Sequence, residues 1–511
     1  MDPKLRLDRI AETFPAHRRQ VNLEQWVEVA RSLHEAGGVL LALWGSDDYE
    51  HSGQCVLRCA VYGHGDIAVL ELMVDADNPQ VPTLAGVFPS AARMERAVRD
   101  LIGLNAVGGD MRPWLRHGAW PTGQFPLKQN FRADTGPDIE DEPYPFIAVE
   151  GDGVHEIAVG PVHAGIIEPG HFRFSVVGEK VLRLEERLGY VHKGIEKRFE
   201  GLSILEGHHL AARVSGDSAI AFSWAYCIAL EEICRADVSE RALYLRALAL
   251  ELERIANHLG DLGALGNDAG LAFGLAQFSR LKENLLRTNS VVFGARYLLD
   301  YVVPGGVAHD LAMSAHAAIA STLAALDEEV RKLRKIYDDH SGLQDRFAAC
   351  GWLAPDLAKL LGVVGLSGRA SAQPLDIRCD LAMAPYDRLA LQRAVHTGGD
   401  VEARVWIRFE EIFESIRLCQ MILDEMPEGA IVGRVPAIQQ AAFGLGVVEG
   451  WRGPVLVALE ADGDGLIRRC HPHDPSWQNW PALEHAILGN IVPDFPLINK
   501  SFNLSYSGHD L

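Results

Sequence analysis

Residues Gly207–Glu231 read GHHLAARVSGDSAIAFSWAYCIALE, a polar, histidine-rich opening that gives way to an apolar run with helix-compatible spacing. A helix of that composition is buried, so whatever chemistry the polar opening carries is set at the mouth of a buried helix. Ser215 and Ser218 are three apart and at a helix start face the same side. A metal-binding sequence would carry Cys-x-x-Cys there. Taken alone, RVSGDS reads equally as a capping turn, because Ser and Asp are favoured N-cap residues and Gly permits the turn.

At 511 residues the chain predicts about two to four domains or subdomains. A hydrophobic share of 48% is ample for a core, and a net charge of −21 argues against nucleic acid, where a basic footprint is expected. The same charge disfavours direct contact with an anionic membrane surface. Eight cysteines are scattered without a Cys-x-x-Cys pair, which suits reduced thiols in a cytosolic compartment. Cys55 and Cys59 lie in a strand-like run on one face, where core packing is the expectation. Met1–Gln20 is charged and has no apolar core of a signal peptide. The longest apolar run, Ala219–Leu230, is far short of the ~20 residues of a membrane helix, so a soluble chain is expected.

Residues 1–127 read as a small α+β unit: a helix over Leu23–Ala36, strands at Val39–Trp44, Cys55–Tyr62 and Ala68–Val74, and a helix over Arg93–Leu104. Leu127–Tyr144 is acidic and punctuated by Pro and Gly, a linker. Val159–Phe174 is a loop running into a strand, and Val181–Phe199 reads as a charged helix broken by Gly189 and Gly194. Helices are expected at Ser239–Leu262, Phe273–Leu299, Leu311–His340 and Asp400–Met426, with the apolar stripe of a bundle. A glycine-rich loop spans Gly362–Arg378 and lacks the Gly-Lys-Ser/Thr of a phosphate cradle. A hairpin is signalled by the Asp462–Gly465 turn, and His471, His473 and Asp474 form a possible metal corner without a third convincing ligand.

The segment Arg213-Val214-Ser215-Gly216-Asp217-Ser218 resembles the Arg-x-Cys-Gly-x-Cys of the large subunit of membrane-bound [NiFe] hydrogenases of the formate-hydrogenlyase and hydrogenase-4 type. The close of the chain, Asn499–Leu511 (NKSFNLSYSGHDL), is similar to the same family's Asp-Pro-Cys-x-x-Cys, with Ser505 and Gly508 in the cysteine positions. Soft thiolates select nickel and low-spin iron, and hydroxyls or glycine do not replace them. The loss of all four also marks the quinone-site subunit of respiratory complex I. Glu95, Arg96, Asp100, Gly103 and Arg112 resemble the small hydrophilic subunit that precedes it, and further matching blocks run through Gly189–Lys197, Glu253–His258, Arg296, Tyr301–Val307, Pro385–Arg388 and Glu449–Gly453. The resemblance therefore implies a fusion of the two adjacent hydrophilic subunits, C and D, of a complex I-type enzyme. Its fold is α+β: a small domain over 1–127, a linker over 128–150, and a mainly helical hydrogenase-large-subunit-like domain with small β elements over 151–511.

By this resemblance the chain is a hydrophilic subunit of a membrane-associated NAD(P)H:quinone oxidoreductase-type complex, with a metal-free, quinone-type cavity beside an iron–sulfur subunit. The alternative is a catalytically silent structural subunit of an ion-translocating complex. No nucleotide loop and no cluster-binding cysteine set lie in the chain itself, so any NAD binding belongs to the complex. Quinone is the implied substrate, the [4Fe–4S] cluster sits in a partner subunit, and membrane-arm subunits complete an assembly placed on the cytoplasmic face. His163, Glu168 and Asp217 are the implied catalytic groups, with His171, His209, Arg213, Arg369, Asp376 and Arg378 around the cavity. His192 and Glu196 are implied at the interface or on a proton path. A complex I-like chain carries a tyrosine just before the arginine, whereas this one reads His208-His209-Leu210-Ala211-Ala212-Arg213. If the reading holds, Ser215, Ser218, Ser505 and Gly508 gather around one place in the fold.

Overall fold

The computed structural model describes residues 8–9, 14–48, 52–117, 123–132, 143–163, 167–381 and 383–511. Much of the expected linker falls outside them.

The first half is built on a five-stranded sheet, β1 (Asp8–Arg9), β2 (Ala16–Val21), β3 (Val39–Asp48), β4 (Gln54–Gly63) and β5 (Asp66–Asp75), in the order β1-β2-β5-β4-β3. β3, β4 and β5 form an antiparallel meander, and β2 lies parallel to β5. Helix α1 (Leu23–Glu35) begins with a capping box between Asn22 and Gln25, and α2 (Ala91–Ile102) packs on β3. Two short strands, β6 (Gln80–Pro82) and β7 (Asn105–Val107), pair in parallel. Cys55 and Cys59 are buried in the sheet, and all eight cysteines are free thiols.

The second half opens with an antiparallel sheet of β8 (Val154–Val159), β9 (His171–Val177) and β10 (Lys180–Arg187). The charged helix expected over Val181–Phe199 is therefore a strand, followed by a loop and one helical turn at Ile195–Phe199. The charges misled because they are not solvated. Glu186 is salt-bridged to Arg93, and Glu185 to Arg112, so the strand buries carboxylates that the other half of the molecule neutralises.

The organising helix is α3 (Ala219–Cys234), with fourteen of its sixteen residues buried. Helices α4 (Glu240–Asp268), α5 (Ala272–Phe293), α6 (Met313–Asp339) and α7 (Val401–Glu425) form the bundle, and a two-residue-strand hairpin, β11 (Val302–Val303) with β12 (Gly306–Val307), follows α5. α5 stops at Phe293, short of the expected Leu299, because Gly294 turns into the left-handed region at φ 77°. The hairpin sheet β13 (Ala442–Glu449), β14 (Pro454–Ala461) and β15 (Ile467–His473) packs directly on α3. A Cβ at Gly444 or Gly446 would lie 2.2 or 2.0 Å from the Ala229 or Ala225 carbonyl oxygen, so only glycine lets strand and helix backbones approach this closely. Short helices α8 (Ser476–Ala486), α9 (Phe495–Phe502) and α10 (Tyr506–Asp510) close the chain.

Polar contacts fasten the two halves. Arg58 on β4 reaches Glu71 at 2.7 Å and Glu460 of β14 at 2.6 Å, Arg469 donates to the Gly45 carbonyl, and Gln478 donates to the carbonyls of Leu40 and Leu41. Among the described residues no helix is long and apolar enough to cross a membrane.

Removing one partner of a buried ion pair leaves the other charged and dry. Arg58→Met is expected to cost about 3 kcal/mol or more in denaturant unfolding. Arg468→Met, at the more exposed pair with Asp48, costs under about 1 kcal/mol. Equal losses in the two variants would show that the seam does not rest on Arg58.

Candidate functional site

The four positions expected to converge do converge. Ser215 and Ser218 lie in the turn before α3, while Ser505 caps α10 and accepts a hydrogen bond from the Gly508 N–H at 2.8 Å. The Ser215 and Ser505 hydroxyls are 3.0 Å apart, and Ser215 donates onward to Asp217 Oδ1 at 2.8 Å. A directional chain results, from the Gly508 amide through Ser505 and Ser215 to the Asp217 carboxylate. Ser218 also donates to Asp217, at 3.3 Å.

Asp217 is held by the Arg452 fork at 2.8 and 2.6 Å, and Arg452 in turn donates to the Asn503 carbonyl at 2.5 Å and lies over the Trp451 ring. Burial pushes the Asp217 carboxyl up, but the Arg452 guanidinium outweighs it and brings the group down to about 2. An acid so held stays ionised through the neutral range. A second carboxylate stands behind it. Glu253 on α4 accepts the Ile220 and Ala221 amides, and burial raises its carboxyl to about 8. It is Glu253, not Ser218, that satisfies the open amides of α3.

These residues do not fit a nickel–iron centre. The donor set is three neutral hydroxyls and a glycine, and a cation already occupies the Asp217 carboxylate beside them. A side chain at 508 would also have to displace Asp474, since a Cβ at Gly508 would meet Asp474 Oδ2 at 2.5 Å and Ser505 Oγ at 2.9 Å.

Outside this pocket, the described residues between β8 and β9 form a rim against the closing segment. The exposed Glu168 carboxylate accepts the Ser507 amide at 3.1 Å and the Ser507 hydroxyl. His163 is half-buried, with Nε2 2.8 Å from the Gly170 carbonyl oxygen. His171 is buried, its Nδ1 3.1 Å from the Gly160 carbonyl oxygen and its Nε2 without a partner among the described residues. Burial keeps its imidazole below the usual range.

The remaining expected cavity groups lie elsewhere. His209 and Arg213 are exposed and both engage Asp300, Arg213 through two bonds of 2.6 and 2.7 Å. Arg369 is fully buried between Glu411 and Glu449, at 2.6 and 2.7 Å, and Arg378 binds Asp376 and Glu251. This charged network reaches the pocket through the backbone of Glu449–Arg452, where Arg254 donates to the Glu449 and Gly450 carbonyls. The orienting arginine of the pocket is thus Arg452. Its signal in the sequence was a cation between glycines in Gly-Trp-Arg-Gly, read only as part of a matching block. Asp474 was read only as part of the 471–474 corner, and Asn503 only within the closing motif.

Glu196 is buried, not on a surface, and joins Arg469 and His471 at 2.7 Å each. With His471 so engaged and His473 bonded to Gln478, the corner at 471–474 has other partners. Among the described residues no group of three His, Cys, Asp or Glu is placed to hold a metal ion.

Comparison with known proteins identifies the family. The family described as respiratory-chain NADH dehydrogenase, 30 Kd subunit, matches residues 19–136, and that of the 49 Kd subunit matches residues 268–444. Formate hydrogenlyase subunit 5 of Escherichia coli (strain K12) is 30% identical over 99% of this chain and 91% of its own length. The fused C/D polypeptide of the NADH-quinone oxidoreductase of Bacteroides thetaiotaomicron is 29% identical over 86% of each chain. A chain from the structure of the membrane-bound sulfane sulfur reductase, an archaeal respiratory membrane complex, shares the fold with a TM-score of 0.66. It is 23% identical and covers 70% of this chain and 99% of its own.

Because the Asp217 carboxyl titrates lower when folded than its ordinary value near 3.9, the stability it contributes is present above about pH 4 and is lost as pH falls toward 2. The stability gap between wild type and Asp217→Asn should close across that window in acid unfolding titrations. A gap independent of pH would show that Asp217 is not the ionised partner of Arg452. Restoring all four thiols (S215C, S218C, S505C, G508C) should still leave nickel substoichiometric by metal analysis, since Asp474 occupies the space of the fourth.

Proposed function

The chain belongs to the family of hydrophilic subunits shared by complex I-type NADH dehydrogenases and formate-hydrogenlyase-type hydrogenases, and from that premise we propose that it serves a membrane-associated quinone oxidoreductase without metal chemistry of its own. Its working surface is the rim at His163 and Glu168, not the pocket behind it. The observation that carries this reading is the contact of Glu168 with Ser507, which sets an exposed carboxylate between the two vacated positions of the closing segment. The pocket itself is knitted shut by hydroxyls and by the Asp217–Arg452 pair.

A quinone takes up two electrons and two protons. In the proposed half-site the electrons arrive from an iron–sulfur cluster in a partner subunit docked over the rim. In its doubly protonated form His163 donates Nδ1–H to the quinone carbonyl while Nε2–H keeps the Gly170 carbonyl, and Glu168 passes protons, with His171 beneath as the reserve imidazole. The rim is open in the isolated chain, as a site completed by a second subunit would be. Membrane-arm subunits and a cytoplasmic-face location follow from the same reading.

A second reading, a silent structural subunit, is favoured by Arg213 and Arg369, which are committed to Asp300 and to Glu411 and Glu449 and are thereby unavailable to orient a substrate. One experiment separates the two. In the purified native complex, His163→Ala is expected to abolish quinone-dependent turnover while leaving the set of assembled polypeptides intact. Turnover at the wild-type rate would establish the silent reading.

A further inference from the structure

A cleft of about 310 Å³ opens along the seam between the two halves, far from the rim in sequence and lined by different residues. One wall comes from the end of α1, the start of β3 and the approach to α2, including His34, Leu40, Phe88 and Ser90. The other comes from the 359–375 segment and Arg393. The volume is roughly ten times the ~30 Å³ that a water molecule takes in the liquid, well beyond a packing defect in an interior that is otherwise close-packed. It lies at the lower end of the range for small-molecule sites, which favour such domain boundaries.

The chemistry of the walls is one-sided. Their bulk is apolar, from Leu40, Phe88 and Leu375. Among the described residues, His34 Nδ1 and Arg393 Nε are buried without a hydrogen-bond partner. Ser90, at the N-cap position of α2, caps nothing with its hydroxyl. Lys359 is exposed at the edge and faces no carboxylate within salt-bridge distance among the described residues. The cleft's one carboxylate, Asp380, is already engaged by Arg393 and by the Asp376 amide. The Lys359 cation, the unpartnered Arg393 Nε–H and a His34 nitrogen able to carry a proton, around an apolar hollow, call for a ligand that brings acceptors and negative charge, since an unpartnered buried donor costs about 1–3 kcal/mol that such a ligand recovers.

We propose that this cleft binds a small amphipathic carboxylate, its apolar body against Phe88 and Leu375 and its charge met by Lys359 and the free donors. Recognition is local, because the chain as a whole carries −21 and repels anions in general. The ligand would also touch Gln373–Leu375, the residues that lead directly into Asp376 and the buried network.

The test is calorimetric titration of the full-length chain with octanoate, with octan-1-ol as the uncharged control. Octanoate should bind saturably at one site, and octanol should not reproduce it. Lys359→Glu, an exposed reversal, and Leu375→Trp, which fills the hollow, should each weaken binding by about tenfold or more. A thermal scan of each variant checks folding, and if Leu375→Trp unfolds, Lys359→Glu alone decides. Absence of saturable binding to the wild type, or binding unchanged in the folded variants, overturns the site. Octanol binding as tightly as octanoate overturns the carboxylate.

Discussion

Three arginines and four carboxylates, sealed from water, hold the second half of the molecule in register. Arg254, Arg369 and Arg378 meet Glu251, Asp376, Glu411 and Glu449, drawing together α4, the glycine-rich loop, α7 and β13. Each charge is tolerable only because the others are there, so the cluster forms as a unit or not at all. The count leaves one negative charge in excess, and burial with the neighbouring Asp376 pushes the Glu449 carboxyl above its ordinary range despite Arg369 beside it. His258, kept below its ordinary range by burial, adds a hydrogen bond to Glu411 rather than a further cation.

That network is the floor on which the vacated pocket rests. Its last carboxylate, Glu449, begins the Glu449–Arg452 segment, and the same segment ends in the arginine that pins Asp217. Trp451 donates to the Asp217 carbonyl at 2.9 Å, and Asn257 of α4 does so at 2.7 Å. The approach to α3 is therefore fixed from both sides, by its side chain and by its backbone. The geometry of this loop is thus held by hydrogen bonds of the chain itself.

What the sequence made legible follows from where its signals are local. The meander of the first half, the bundle helices and the hairpin at Asp462–Gly465 each announce themselves through periodicity and turn chemistry within a few residues. The convergence of Ser215, Ser218, Ser505 and Gly508, separated by almost three hundred residues, was legible only because two short motifs of one family frame it. Where the pattern is polar and the partner distant, the sequence misleads. Glu185, Glu186 and Glu196 look like a solvated face and are buried against Arg112, Arg93 and Arg469 from elsewhere in the chain. Arg213 adjoins the motif and yet turns to Asp300, while Arg452, more than two hundred residues away, takes the central place. Neither choice is written in the residues beside them.

The pocket's closure also argues about the direction in which it can change. Exchange of a cysteine for serine is nearly isosteric, so Ser215, Ser218 and Ser505 keep the outlines of thiolate ligands. Gly508 does not, because Asp474 Oδ2 lies where a side chain at that position would begin. Burial raises the Asp474 carboxyl, and its Oδ2 has no hydrogen-bond partner among the described residues. That oxygen accepts an unfavourable position because the neighbouring Arg452 and the Ser476 amide stabilise the other side of the group. Three of the four positions thus keep the outline of the family's ligands and the fourth does not, so the closing segment packs around Asp474 while His163 and Glu168 stay on the rim outside it.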